Sequence, residues 1–83
     1  MTENVETTFE MLLRFATESG MGVTADYRVS ERDCEKLMGW SPRTLATMRS
    51  EGRAPPSYLI SNRRSYRLHD VAAFIEESRE DPQ

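Results

Sequence analysis

Residues 39–53 read Gly39-Trp40-Ser41-Pro42-Arg43-Thr44-Leu45-Ala46-Thr47-Met48-Arg49-Ser50-Glu51-Gly52-Arg53, and this stretch decides the fold. Ser41 is a favoured helix cap. A proline directly after a cap gives up no hydrogen bond, because the first N–H groups of a helix lack helical partners anyway. Gly52 stands where a left-handed residue closes a helix. The spacing predicts a helix from Ser41 to Glu51 with Leu45 and Met48 turned inward. Arg43, Thr47 and Ser50 then recur on the opposite face, with the small Ala46 beside them.

Upstream, Ser30 opens another helix. Asp33 stands at the reciprocal capping position, and Val29 and Cys34 stand at the positions of a hydrophobic staple. Cys34, Leu37 and Met38 share one face of that helix, Arg32 and Lys36 share the other, and Gly39 ends it. Two short helices joined by a tight Gly-Trp turn form a helix-turn-helix. Downstream, Pro55-Pro56 forces an extended chain. Tyr58–Ile60 and Ser65–Leu68 read as the strands of a hairpin, with the polar turn Ser61-Asn62-Arg63-Arg64 between them. Asp70 opens a last helix with Val71, Phe74 and Ile75 inward and Glu76, Glu77, Glu80 and Asp81 on its outer side and tail. At the start, residues 1–5 read as frayed. Residues 6–18 read as an amphipathic helix with Phe9, Leu12, Leu13 and Ala16 on one stripe, widened by Met11 and Phe15. Gly20 and Gly22 end that helix, and Val23–Val29 reads as an extended connector. The expected fold is mainly α with a small β-hairpin: a winged helix-turn-helix over residues 28–80, preceded by a packing or oligomerising segment over residues 1–27.

The chain has 83 residues, which bounds it to one small domain with a thin core. No apolar run approaches the roughly 20 residues needed to cross a bilayer. No secretion signal is visible. The lone Cys34 fits a reducing, cytoplasmic setting. The formal net charge is −3, but the charges are unevenly placed. Between Arg28 and Leu68 nine basic residues face four acids, whereas the two flanks hold Arg14 and Arg79 against ten acids. A basic centre between acidic ends suits a phosphate-binding face, although it also describes a solvated mixed surface.

The segment starting at Ser41 has the character of a helix that enters a major groove. Arginine grips guanine with two hydrogen bonds, hydroxyls reach bases or phosphates, and small residues allow close approach. The same spacing also describes an ordinary solvent-facing helix. Ser41, Arg43, Thr44, Thr47 and Ser50 are its candidate contacts. Asn62, Arg63, Arg64 and Arg67 are candidates on the hairpin, where the negative potential of a minor groove draws arginine. Arg32, Lys36 and Arg53 are candidate backbone contacts, and Arg49 is a candidate partner for a nearby acid. Trp40 reads as filling of the inter-helix turn, and Cys34 as a small buried residue. One histidine, His69, and one cysteine are too few for a zinc site. No catalytic constellation, metal site or cofactor is expected, and the chain does not read as an enzyme.

In its order of motifs the chain resembles the excisionase and MerR-like winged-helix group, from Arg28 to about Ser78. The resemblance rests on Arg28-Val29-Ser30, on Gly39-Trp40-Ser41-Pro42-Arg43-Thr44-Leu45, on Arg49-Ser50-Glu51-Gly52-Arg53, on Pro55-Pro56, and on Arg64-Ser65-Tyr66-Arg67-Leu68. It implies a second helix in the major groove, with Arg43, Thr47 and Ser50 facing bases, and a wing carrying Arg63 and Arg64. The family more often has an aromatic residue where Met48 stands, and basic residues where Ala46 and Thr47 stand. The resemblance further implies a bacterial or phage-encoded, nucleoid-associated protein that binds double-stranded DNA, bends it and assists an integrase or recombinase in excision. A small transcriptional regulator is the alternative within the same fold. A protein-interaction module that binds no DNA is the alternative outside it. Self-association is expected, if anywhere, through Phe9, Met11, Leu12 and Phe15.

Overall fold

The architecture comes from a computed structural model that describes residues 2–82, with side chains from Asn4 onward. Among these residues there are four helices and three strands: α1 (Thr2–Glu18), β1 (Arg28–Ser30), α2 (Glu31–Met38), α3 (Thr44–Ser50), β2 (Tyr58–Ile60), β3 (Arg63–Arg67) and α4 (Leu68–Glu77). About half the chain is helical, and the strands form one antiparallel sheet in the order β1-β3-β2. No described helix is long and apolar enough to cross a membrane.

The expected signals for α2 are realised at both ends. The Ser30 hydroxyl accepts from the Asp33 N–H at 3.1 Å. Gly39 adopts φ 72°, a left-handed conformation that costs a residue without a Cβ little. This lets the Gly39 and Trp40 N–H groups donate to Lys36 and Glu35 carbonyls at 3.2 and 2.8 Å, the paired closure of a Schellman motif. The same two bonds close α1 at Gly20 and α3 at Gly52. Val29 and Cys34, the staple pair, are both buried.

Helix α3 differs from expectation: it begins at Thr44, not Ser41. Ser41-Pro42-Arg43-Thr44 is a turn, with the Thr44 N–H and hydroxyl both donating to the Ser41 carbonyl, at 3.3 and 2.7 Å. Arg43 is left-handed, at φ 74° and ψ 0°, the values of the third residue of a type II turn, whose second position favours proline. Ser-Pro serves equally as cap plus first helical residue or as the first half of such a turn. A tertiary contact decides between them. Glu35 of α2 is 97% withdrawn from solvent (3% exposed), and its carboxylate accepts the Leu45 N–H at 3.1 Å. The cap of α3 therefore comes from α2.

The hairpin is tighter than its sequence suggests. Only Ser61 and Asn62 lie in the turn, with φ 52° and 63°, the two positive values of a type I′ connection. Arg63 and Arg64 belong to β3, opposite Ile60 and Leu59, so they are not at the tip and they point to opposite faces. The connector ends in a strand, β1, paired with β3 through Arg28–Arg67, Val29–Tyr66 and Ser30–Ser65. Helix α4 starts at Leu68 rather than Asp70, because its first N–H donates to the Tyr27 carbonyl at 2.7 Å and needs no side-chain cap. Helix α1 starts at Thr2 rather than at residue 6; residue 1 of the expected frayed start lies outside the described residues.

The core joins Phe9, Leu12 and Ala16 of α1 to Val29, Cys34, Leu45, Met48, Tyr66, Leu68, Val71 and Ala72. Helix α1 packs mainly on α4 and more lightly on α2. Trp40, Phe74 and Ile75 are half-buried against this core, and Trp40 meets Phe74 edge to face at 6.3 Å. Phe9 and Leu12 are committed to this interior, which corrects their expected part in self-association; Met11 and Phe15 are exposed.

Glu35→Ala would strand a buried N–H and should destabilise the domain by about 1–3 kcal/mol in urea denaturation. Ser30→Ala, which removes a solvent-reachable cap, should cost about 1 kcal/mol.

Candidate nucleic-acid interface

Helix α3 buries Leu45 and Met48 and leaves Ala46, Thr47 and Ser50 in solvent. Its outer face is not covered by α1, which packs elsewhere. The structure gathers Ser41, Arg43, Thr44, Thr47 and Arg53 around one shallow depression of about 280 Å³, whose other walls are Pro42 and Met48. Arg43 therefore reaches this surface from the turn before the helix, not from the helical face on which its spacing placed it. Its side chain is exposed and has no ion pair among the described residues. Ser50 lies on α3 outside the depression, and its hydroxyl donates to the Thr47 carbonyl at 2.7 Å. Arg53 pairs with Glu51 in solvent, an exposed contact worth little.

The other end of α3 is held by a half-buried network. Arg49 pairs with Glu31 of α2 and donates to the Tyr66 hydroxyl at 2.8 Å; that hydroxyl donates to the same Glu31 oxygen at 2.8 Å. Burial, and then the bond to Glu31, push the Tyr66 phenol up to about 12, against the opposing pull of Arg49. Arg49 is thus a structural residue.

On the sheet, Arg67 turns away from the expected hairpin role. It donates to Asp26 at 3.0 Å and lies 5.0 Å from the centre of the Tyr58 ring. Arg28 grips the same carboxylate with its Nε at 3.0 and 2.8 Å and reaches the Ser65 hydroxyl at 2.9 Å. Arg28 first, then Thr24 and Arg67, hold the Asp26 carboxyl well below the usual carboxylate range. Arg64 is half-buried and donates to the Ser57 hydroxyl at 3.0 Å. Asn62 and Arg63 are exposed. Arg32 is exposed on α2, whereas Lys36 lines a separate depression with Phe15, Met21 and Asp33, away from the start of α3.

Of the four acids in the central segment, two are spent on the fold, Glu51 pairs in solvent, and Asp33 carries no ion pair among the described residues. Glu31 holds Arg49, Glu35 caps α3 and Glu51 meets Arg53. Arg32, Lys36, Arg43, Arg63 and Arg64 carry no ion pair among the described residues. The acids of α1 and α4 lie on two helices that pack on each other. The unpaired cations of the central segment thus lie on α2, on the turn before α3 and on the hairpin.

Glu35 and Tyr66 were not legible as organising residues, since each acts through a partner 10 or more positions away in the chain, and the contact of Asp26 with Arg67 spans 41 positions. Cys34 is fully buried, and desolvation pushes its thiol up to about 12, which leaves no reactive thiolate near neutrality. His69 stacks on Phe9 with ring centres 3.9 Å apart. No group of metal-ligating side chains occurs among the described residues. No family model, curated protein or solved structure matches this chain.

Glu31→Gln weakens the acceptor that holds the Tyr66 proton. One of the three tyrosines should then titrate at lower pH in an alkaline absorbance titration, closer to the ordinary value of about 10. Asp26 gives the opposite linkage. Its depressed folded pKa means that its contribution is complete above the unfolded value of about 3.9 and is lost as pH falls below it. Asp26→Asn should therefore flatten the acid limb of the stability profile relative to wild type.

Proposed function

We propose that the chain is a winged helix-turn-helix protein that binds duplex DNA in a sequence-dependent way, with α3 and its preceding turn in the major groove and the β2–β3 hairpin as the wing. One observation carries this reading: Arg43, exposed and without an ion pair among the described residues, shares one depression with Ser41, Thr44 and Thr47 at the start of α3, while Arg63 is exposed and without an ion pair on the hairpin. Such a surface can neutralise phosphates and offer donors to base edges together. Arg43 and Thr47 supply base contacts; Ser41, Thr44 and Arg53 line the same depression and position the backbone. On the hairpin Arg63 is the free cation, and Arg67 supports the sheet.

The biological role we propose is that of an accessory factor that helps an integrase excise a mobile element, acting in the bacterial cytoplasm. This role rests on the resemblance of the Gly39–Leu45 and Arg64–Leu68 motifs. Cooperative protection of several adjacent short sites in a footprint supports it; protection of one palindrome favours a transcriptional regulator instead.

Arg43→Gly separates recognition from folding. Glycine relieves a left-handed conformation that costs an L-residue roughly 1–2 kcal/mol, so stability should hold or rise slightly. Affinity for a duplex selected from a random pool should fall by about 1–3 kcal/mol. Arg63→Ala should weaken binding to every duplex and reduce the slope of log affinity against log salt by about one unit. Wild-type affinity and salt slope in both variants would remove the α3 turn and the hairpin from the interface.

A further inference from the structure

The hairpin carries two aliphatic side chains that the fold leaves in water. Leu59 is 59% exposed and Ile60 is 50% exposed. Their strand, β2, is an edge strand of the sheet and packs on β3. Neither residue belongs to the buried core.

The register gives them a specific setting. Leu59 stands opposite Arg64, and Ile60 stands opposite Arg63. Successive residues of a strand point to opposite faces, and directly opposed residues share one. Each face of the hairpin end therefore bears one aliphatic side chain beside one arginine, and the two-residue turn at Ser61–Asn62 adds only small polar groups beyond them. A partner that docks flat on the sheet covers one of these pairs and leaves the other in water. A cleft that receives the hairpin edge-on covers both. The duplex minor groove is such a cleft. Its negative potential attracts arginine, and its base steps accept aliphatic wedges that partly unstack them and open the groove by kinking the duplex.

We propose that Leu59 and Ile60 form a two-sided aliphatic wedge that the hairpin drives into the minor groove, steered by Arg63, so that binding unstacks a base step and bends the duplex. The inference rests on the duplex-binding reading above and adds to it a mechanical role for two uncharged residues. Exchanging them removes no cation, so it leaves the electrostatic part of binding intact.

The test uses the full chain and a duplex enriched by the wild-type protein from a random pool. Donor and acceptor dyes at the two ends report bending, and 2-aminopurine substituted along the site reports unstacking. The comparison is with the double variant Leu59→Ser, Ile60→Ser, whose exposed positions should leave the thermal transition unchanged. Wild type should bring the duplex ends together and brighten 2-aminopurine at one step. The variant should bind about ten- to a hundredfold more weakly, keep the salt slope of wild type, and lose both optical signals. Full bending and full 2-aminopurine signal in the variant overturn the proposal. So does a self-association that the variant abolishes, seen by sedimentation without DNA, if bending survives; the patch would then face a second copy of the chain. Failure of the wild-type protein to enrich any duplex is a separate result: it defeats the duplex-binding reading itself, and the wedge falls with it.

Discussion

The pose of α3 depends on two glutamates one turn apart on α2. Glu35, buried, accepts the Leu45 N–H at the start of α3. Glu31 holds Arg49 near its end and, through the same oxygen, Tyr66 of β3. A buried carboxylate is costly unless it is hydrogen-bonded, and a bond to a charged acceptor is worth about 1.5–3 kcal/mol. A seven-residue helix has little stability of its own. These two contacts, with Leu45 and Met48 in the core, supply what local propensity cannot. They also tie α3 to the sheet, because Tyr66 is at once a core residue and a member of the Glu31 network.

This constraint has an electrostatic consequence. Glu35 is turned inward and Glu31 is paired within the fold, whereas Asp33 and Glu51 stay at the surface. Of the central cations, Arg28, Arg49 and Arg67 pair with Asp26 or Glu31, and Arg53 pairs with its near neighbour Glu51. Those left over lie on α2, on the turn before α3 and on β3. The net charge is −3, and α1 and α4, which carry most of the remaining acids, pack on each other.

Much of this was legible in the sequence where the signal was local. Ser30 as a cap, Gly39 and Gly52 as terminators, the Tyr58–Ile60 strand and the buried Cys34 all follow from neighbours a few residues away. The departures occur where a distant partner intervenes. Ser41-Pro42 suits two local structures, and Glu35 selects the turn. Leu68 starts α4 early because the Tyr27 carbonyl waits for its N–H. Strand β1 is three residues long, too short to show alternation, and exists because β3 lies beside it. Arg67 looks like a hairpin cation until Asp26 is brought to it from 41 positions away. On the candidate surface, Arg43, Thr47, Arg53 and Arg63 were visible as residue types, but the route by which Arg43 reaches it was not.

The central claim is that α2 holds α3 so that its hydroxyl face and the preceding arginine meet duplex DNA. Backbone amide NMR of the chain titrated with an enriched duplex tests it most directly. The account predicts the largest shift changes from Ser41 to Ser50 and from Ile60 to Arg64, with the outer positions of α1 and α4 unmoved. Changes concentrated on α1 and α4, with the Ser41–Ser50 amides still, would contradict it.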